Sequence, residues 1–371
     1  MEFSFKSLFS GFDWLGKGKN SVLGIDIGTA FIKIIQLRKE KERAILETYG
    51  EIALGPYANL KIGQATKLPE AIIVEALKDV LKESNANAKN AVVSIPLQSS
   101  FVTTITLPFM PDKNAAEVLQ MEARRYIPIP ISEVVFDWWI LPDSIESEEN
   151  DENDSDEGGK KPTQILLAAI HKDTINDYKS IMPKVNLKAK AYEIESFSMV
   201  RSSAGRDSSP VAVIDFGAST TKLAIVDGGL IKSSHSVSHG SQELTLALAH
   251  ALSIDFERAE EMKREIGLSD LPEHAEVVTV FEPILDYIFM EANNFIKNFQ
   301  KKYRRSVGKI ILTGGGALLK GLVDFSVKKF TIEVEIADPF SKTEHPAFLV
   351  NALKDAGPNF SIALGLALRE L

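Results

Sequence analysis

The stretch VLGIDIGTAFIKIIQL, Val22–Leu37, carries an aspartate, Asp26, inside an apolar run, two residues before Gly28. Aspartate is depleted in strands, and a buried carboxylate without a partner is costly. A second stretch, VAVIDFGASTTKLAIV, Val211–Val226, repeats the frame. Asp215 falls on Asp26, Gly217 on Gly28 and Lys222 on Lys33, while Ile214, Phe216 and Leu223 fall on Ile25, Ile27 and Ile34. One carboxylate, one glycine and one lysine repeated in the same apolar frame point to a duplicated structural unit.

Each copy reads as two strands about a glycine turn. A tight glycine hairpin lets backbone N–H groups converge on an anion while a fixed carboxylate faces the same space. Two such hairpins facing each other make a clamp for the phosphates of a nucleotide. Their carboxylates then bind Mg²⁺, through its waters, because this ion keeps much of its hydration shell. A single DxG reads first as an aspartate capping a turn; the pair, together with Gly314-Gly315-Gly316, reads as phosphate binding. The triplet follows the apolar run KIILT and precedes a helical pattern, so its backbone can approach a base or ribose closely. GALLKGLV lacks the lysine and hydroxyl of a Walker A loop, GFDWLGKG ends in Gly18 and follows no strand, and no GxGxxG follows a strand.

Composition sets the outer bounds. A chain of 371 residues suggests two or three domains. No cysteine is present, which excludes disulfides and thiolate metal sites. No apolar run reaches about 18 residues, so no spanning helix is expected, and the start lacks the layout of a signal peptide. The formal net charge is −9, and DSIESEENDENDSDE (Asp143–Glu157) alone holds nine acids and no base, so −9 minus −9 leaves a neutral body. The acidity is local, and nothing in the charge pattern points to nucleic acid. Phe5, Leu8, Phe9, Phe12 and Leu15 share helical spacing among Lys6, Lys17 and Lys19, which suits a membrane surface, a partner or the protein's own body.

Strands alternate with helices in both halves, so the class is α/β with a mixed sheet in each. Within the first half lies a unit of different character. SFVTTITLP reads as a strand, DKNAAEVLQMEARRYI as a helix capped by Asp112, and EVVFDWWIL and TQILLAAI as two more strands, with the acidic stretch a disordered loop between these last two. A strand points the adjacent Trp138 and Trp139 to opposite faces, so one can pack in the core while the other is either a surface peptide anchor or covered by the unit's own helices. His235 and His239 share a face if their run is a strand, and read as a surface pair with no third ligand spaced for a metal.

Two DxG hairpins, a glycine triplet and a connecting helix with a carboxylate resemble the actin-like ATPase superfamily over about Val22–Leu368. The resemblance implies two similar halves with ATP or ADP and Mg between them. ESFSM resembles the first connecting segment, which makes Glu195 the match for the acid near the attacking water, beside Asp26 and Asp215. Gly28, Thr29, Lys33, Gly217, Ser219, Thr220, Lys222, Gly314, Gly315 and Gly316 match nucleotide-binding positions, and Asp26 and Asp215 the metal positions. ERAEEMK resembles the adenosine-side helix, where Glu260 and Lys263 match residues touching base or ribose, although an ExxK pair occurs on any solvated helix.

The strand-helix-strand-strand insert resembles the 1C subdomain of the branch that holds FtsA and PilM. GIDIGTAFIKIIQL, EARRYIPIPISEVVFDW and YEIESFSM are similar to the PilM family. On that resemblance, residues 1–20 form an amphipathic segment, 21–96 and 184–210 subdomain 1A, and 97–183 subdomain 1C with its acidic loop at 143–161. Residues 211–371 form the second half, 2A, with 2B at about 240–305. The function implied is that of a cytoplasmic adaptor of a type IV pilus or related secretion platform, peripheral at the inner membrane. It binds nucleotide with at most slow ATPase activity, and binds the cytoplasmic tail of a PilN-like membrane protein in a 1A/1C groove. Contacts with other platform or motor proteins and self-association are further implications. A small-molecule kinase of the same superfamily and an FtsA-like filament former are the alternatives; the insert argues against the first. The second expects a polar linker and amphipathic helix after the closing helix, where this sequence has none.

Overall fold

The computed structural model describes residues 21–107, 119, 121–127, 129–141, 163–205 and 207–371. The N-terminal segment 1–20, Asp112 with most of the helix it was expected to cap, and the acidic stretch 143–161 lie outside the described residues. The chain divides into two units. One holds the described residues of Gln98–Asn176, the other those of Leu15–Leu97 and Asp177–Leu371.

The larger unit contains two five-stranded sheets of the same plan. In the first, β1 (Ser21–Ile27), β2 (Phe31–Glu40) and β3 (Arg43–Ala53) form an antiparallel meander, and β4 (Asn90–Ile95) and β8 (Lys188–Ile194) add parallel strands in the order β3-β2-β1-β4-β8. In the second, β9 (Val211–Phe216), β10 (Thr221–Asp227), β11 (Leu230–Val237), β12 (Lys309–Thr313) and β13 (Glu333–Ile336) take the order β11-β10-β9-β12-β13. The repeat extends to register. Asp26 lies opposite Lys33 and Asp215 opposite Lys222, and the pairing shifts between Gln36 and Leu37 in one copy and between Ile225 and Val226 in the other, ten residues past each aspartate. A bulge re-aims the side chains beyond it, and both copies keep it at the same place.

The continuous apolar runs of β1, β4, β9 and β12 are covered on both faces, as strands flanked by helices require. In the first half, α1 (Glu70–Glu83) buries Val74, Ala76, Leu77 and Val80 with Leu23, Ile25 and Ile34. In the second, α6 (Ala275–Tyr303) buries Phe281, Leu285, Ile288, Ala292, Ile296 and Phe299 at helical spacing with Leu223, Ile225 and Leu312. The helix α9 (Ser361–Leu368) is apolar all round and buried from Ser361 to Ala367, against β1 and α3 (Glu195–Ser203). Gly24 of β1 admits it: a β-carbon there would overlap the Ala363 carbonyl oxygen.

The smaller unit is a three-stranded antiparallel sheet, ordered β5 (Ser100–Leu107), β7 (Thr163–His171) and β6 (Val134–Ile140). Leu119 packs on one face with Ile105, Leu107 and Ile165; Ala123 and Ile127 pack with Leu167 and Ala169. Trp138 joins both clusters, and Trp139, on the opposite face of the strand, is half-buried.

Two expectations need correction. The glycine triplet opens a 3-10 turn, Gly315–Leu318, and not the helix itself; α7 (Leu322–Phe330) begins after Leu319 returns to extended backbone and Gly321 enters the left-handed region at φ 79°. His235 and His239 do not share a strand face, because β11 ends at Val237; His235 stacks on Phe295 and His239 meets Glu243 at 2.6 Å.

Candidate functional site

The two hairpin turns are built alike. The Gly28 N–H donates to the Phe31 carbonyl and the Gly217 N–H to the Thr220 carbonyl, each at 3.0 Å. Side chains at either glycine would crowd those carbonyls, at 3.0 and 2.8 Å. The turns meet across the two halves, where the Thr29 and Ser219 hydroxyls lie 2.9 Å apart. Behind the second turn, α4 (Ser241–Leu252) donates its Ser241 and Gln242 N–H groups to the Gly217 and Ala218 carbonyls. The first backbone donors of α4 are therefore paired with the turn.

Beneath the turns lies a buried cluster of charge. Asp26, Glu195 and Asp215 are 6, 4 and 3 % exposed. The Lys222 ammonium sits 3.0 Å from Asp215 Oδ2 and 3.2 Å from Glu195 Oε1, so one cation joins a strand of the second half to a helix of the first. Glu195 Oε2 accepts from the Leu97 N–H at 3.0 Å. Asp26 Oδ1 accepts from the Ser94 hydroxyl at 2.9 Å, and that hydroxyl in turn accepts from the Ile27 N–H at 3.3 Å. Burial raises the pKa of Asp26, with Lys222, Lys33 and Ser94 opposing and Asp215 adding. Burial also pushes Glu195 up to about 7, against Lys222 and with help from Asp26. For Lys222 burial works against the charged form, and the three carboxylates, Asp215 foremost, outweigh it and raise its pKa.

The glycine triplet borders this cluster through strand register. Thr313 pairs with Asp215, so Gly314 follows directly beside it; Gly314 has φ 83°, and a β-carbon there would overlap Asp215 Oδ1. At Gly315 a β-carbon would come within 2.7 Å of Asn359 Oδ1, and at Gly316 within 2.6 Å of the Phe216 ring. The Gly314 N–H and Thr313 hydroxyl both donate to the Pro358 carbonyl, which ties the turn to the segment before α9.

Glu260 and Lys263 do not join the carboxylates. On α5 (Phe256–Ile266) they pair at 2.7 Å, and Lys263 donates to Thr245 Oγ1 and the Ser241 carbonyl, while Glu260 accepts from Thr245 and Arg264. They reach the second turn indirectly, because Ser241 bonds Gly217. Four residues near the cluster were not singled out from sequence. Ser94 orients Asp26, Asn359 faces Gly315, Gln242 accepts from the Ala65 N–H, and Tyr178 of α2 (Lys172–Lys184) is raised by burial and by the charges of Glu195 and Asp26. Ser94 left a signal, a lone hydroxyl in the apolar run NAVVSI; the others did not.

Two facing glycine turns with hydroxyls at their tips, two lysines and buried carboxylates fit a phosphate chain, and carboxylate oxygens suit a hard divalent cation. Lys222 already neutralises part of that carboxylate set.

The family described as Type IV pilus assembly protein PilM matches residues 24–371. A solved PilM-PilN type IV pilus biogenesis complex superposes with TM-score 0.76 at 23% identity, covering 94% of this chain and 98% of that one. MreB 5 of Spiroplasma citri, solved with AMPPNP bound, superposes with TM-score 0.51 at 13% identity, covering 94% and 96%. Cell division protein FtsA of Helicobacter pylori strain J99 is 26% identical over 232 residues, 55% of this chain and 46% of FtsA. The chain thus spans just under half the length of that curated relative. These likenesses make the fold that of the actin-like ATPases, two halves of duplicated plan with an inserted unit in the first. Among the described residues no helix is long and apolar enough to cross a membrane.

Proposed function

This chain belongs to the type IV pilus assembly protein PilM family, and we propose that it acts there as a nucleotide-binding adaptor. ATP or ADP would be held between the two halves, by Gly28, Thr29, Gly217, Ser219 and Thr220 on its phosphates, with Lys33 and Lys222 supplying positive charge nearby, and by Gly314–Gly316 on its base side. Asp26 and Asp215 would hold Mg²⁺. That ion, when bound, supplies positive charge to the phosphates. The observation that carries the reading is the meeting of both hairpin turns, Thr29 on Ser219, above carboxylates contributed by both halves. Contacts made by one ligand on both sides of a cleft favour its closed form.

The inserted unit is assigned to recognition of an extended tail of a PilN-like membrane protein. Its sheet has two outer strands, β5 and β6, and added-strand pairing is a common mode of peptide capture. The likeness to a solved PilM–PilN complex supports the partner. Membrane attachment then comes through that partner. Slow turnover at most is expected, since Glu195 is the one matched acid for activating water.

Calorimetry with Mg-ATP tests the site. Asp215→Ala should weaken Mg²⁺-dependent binding; unchanged affinity would retire the assignment. A pull-down on the full chain, with and without Mg-ATP, tests the partner, and failure to capture the tail under either condition would retire that half of the reading.

A further inference from the structure

We propose that Lys222 is a brake on hydrolysis, holding Glu195 in an ion pair that keeps the carboxylate from a water. This deepens the nucleotide reading and rests on it. Both carboxylate oxygens of Glu195 are engaged, Oε1 by Lys222 at 3.2 Å and Oε2 by the Leu97 N–H at 3.0 Å. A general base needs a lone pair aimed at the water it deprotonates, within hydrogen-bond reach. Here one lone pair on each oxygen faces an ammonium or an amide, and the ammonium stabilises the carboxylate against taking a proton. Lys222 is itself pinned: it is one strand over from Asp215 in register, bonded to it at 3.0 Å, and largely buried. Leaving Glu195 would carry a charge away from two buried carboxylates, a costly step in a low-dielectric setting.

The same lysine bridges the halves, Asp215 being on β9 and Glu195 at the first turn of α3. The brake is therefore set by how the halves meet. A motion that draws β10 away from α3 releases it, which suits a protein that retains its nucleotide until a partner moves the halves. In the released state water attacks the γ-phosphorus of the nucleoside triphosphate, the bond from the γ-phosphorus to the β–γ bridging oxygen breaks, and the diphosphate leaves with that electron pair. The water's proton passes to Glu195. Lys222 takes no part in that transfer; it is a positioning residue.

The experiment compares single-turnover ATP hydrolysis at saturating Mg-ATP in the full chain and four variants, with affinity measured separately by calorimetry. Lys222→Met should raise the rate about 100-fold, the low end of what general-base help supplies. It should also make nucleotide affinity depend more steeply on Mg²⁺, since Asp215 has lost its resident cation. Lys222→Leu, which also removes the donor to Glu195, should move in the same direction and covers the case in which the methionine variant does not fold. Lys222→Arg should restore the slow rate, and Lys222→Met with Glu195→Gln should lose the gain. A neutral variant that binds nucleotide and turns over no faster overturns the brake. So does a gain that survives Glu195→Gln, or loss of the fold in both neutral variants, which would make Lys222 a structural residue. Absence of any nucleotide binding by the unsubstituted chain instead retires the site reading beneath it.

Discussion

Gly365 of α9 lies against the backbone of α3 at Ser198, so closely that a β-carbon on the glycine would overlap the serine carbonyl oxygen. The two helices meet backbone to backbone, with Gly24 admitting α9 in the same way on β1. This contact sets where α3 stands, and Glu195 is its first residue. Overpacking a well-filled core costs about 1–3 kcal/mol, and here the obstacle is main chain on both sides. Gly365→Ala should lose at least that much in urea denaturation. A midpoint within error of the parent would show that α9 can shift at no cost.

Glu195 gives a pH dependence with a definite sign. Its folded pKa, about 7, lies above the ordinary value of 4.5, so the native state holds the proton more tightly than the unfolded chain. That contribution to stability is present below about pH 4.5 and is lost as pH rises through about 7. At roughly 1.4 kcal/mol per unit, the loss is on the order of 3 kcal/mol. Thermal unfolding of Glu195→Gln should therefore vary less between pH 5 and 8 than that of the parent. Parallel curves would mean that Lys222 keeps Glu195 ionised throughout.

Ser94 is expected to matter more than its size suggests. Its hydroxyl donates to Asp26 and accepts from the Ile27 N–H, and the residue is 1 % exposed. Stranding a buried polar group costs about 1–3 kcal/mol. Ser94→Ala should show that loss in equilibrium unfolding; Ser94→Ala with the stability of the parent would mean that water replaces the hydroxyl.

Residues between β3 and α1 reach from the first half to the second. Lys61 pairs with Glu257 at 2.7 Å, and the Ala65 N–H donates to Gln242. The ion pair is exposed, and such pairs are worth about 0–1 kcal/mol. Lys61→Ala with Gln242→Ala should leave the unfolding midpoint nearly unchanged while speeding the release of bound nucleotide, read by stopped-flow displacement of a fluorescent ADP. Equal release rates would show that this strap does not hold the cleft.

The sequence alone determined the duplicated frame and the relation of each aspartate to its lysine. Two strands joined by a short glycine turn have one register, and seven residues of separation put Asp26 opposite Lys33 and Asp215 opposite Lys222. Strand runs, amphipathic helices and the glycine triplet were legible for the same reason, because periodicity and turn chemistry act over a few residues. Tertiary structure alone decided that Lys222 also pairs with Glu195, 27 positions earlier, that Ser94 orients Asp26, 68 positions away, and that Glu260 and Lys263 satisfy α4 rather than the carboxylates. It also decided that Gly365 meets Ser198. These partners come from elements brought together by burial of their apolar faces, and burial is non-directional: it names the residues that go inside but not the polar groups they will find there.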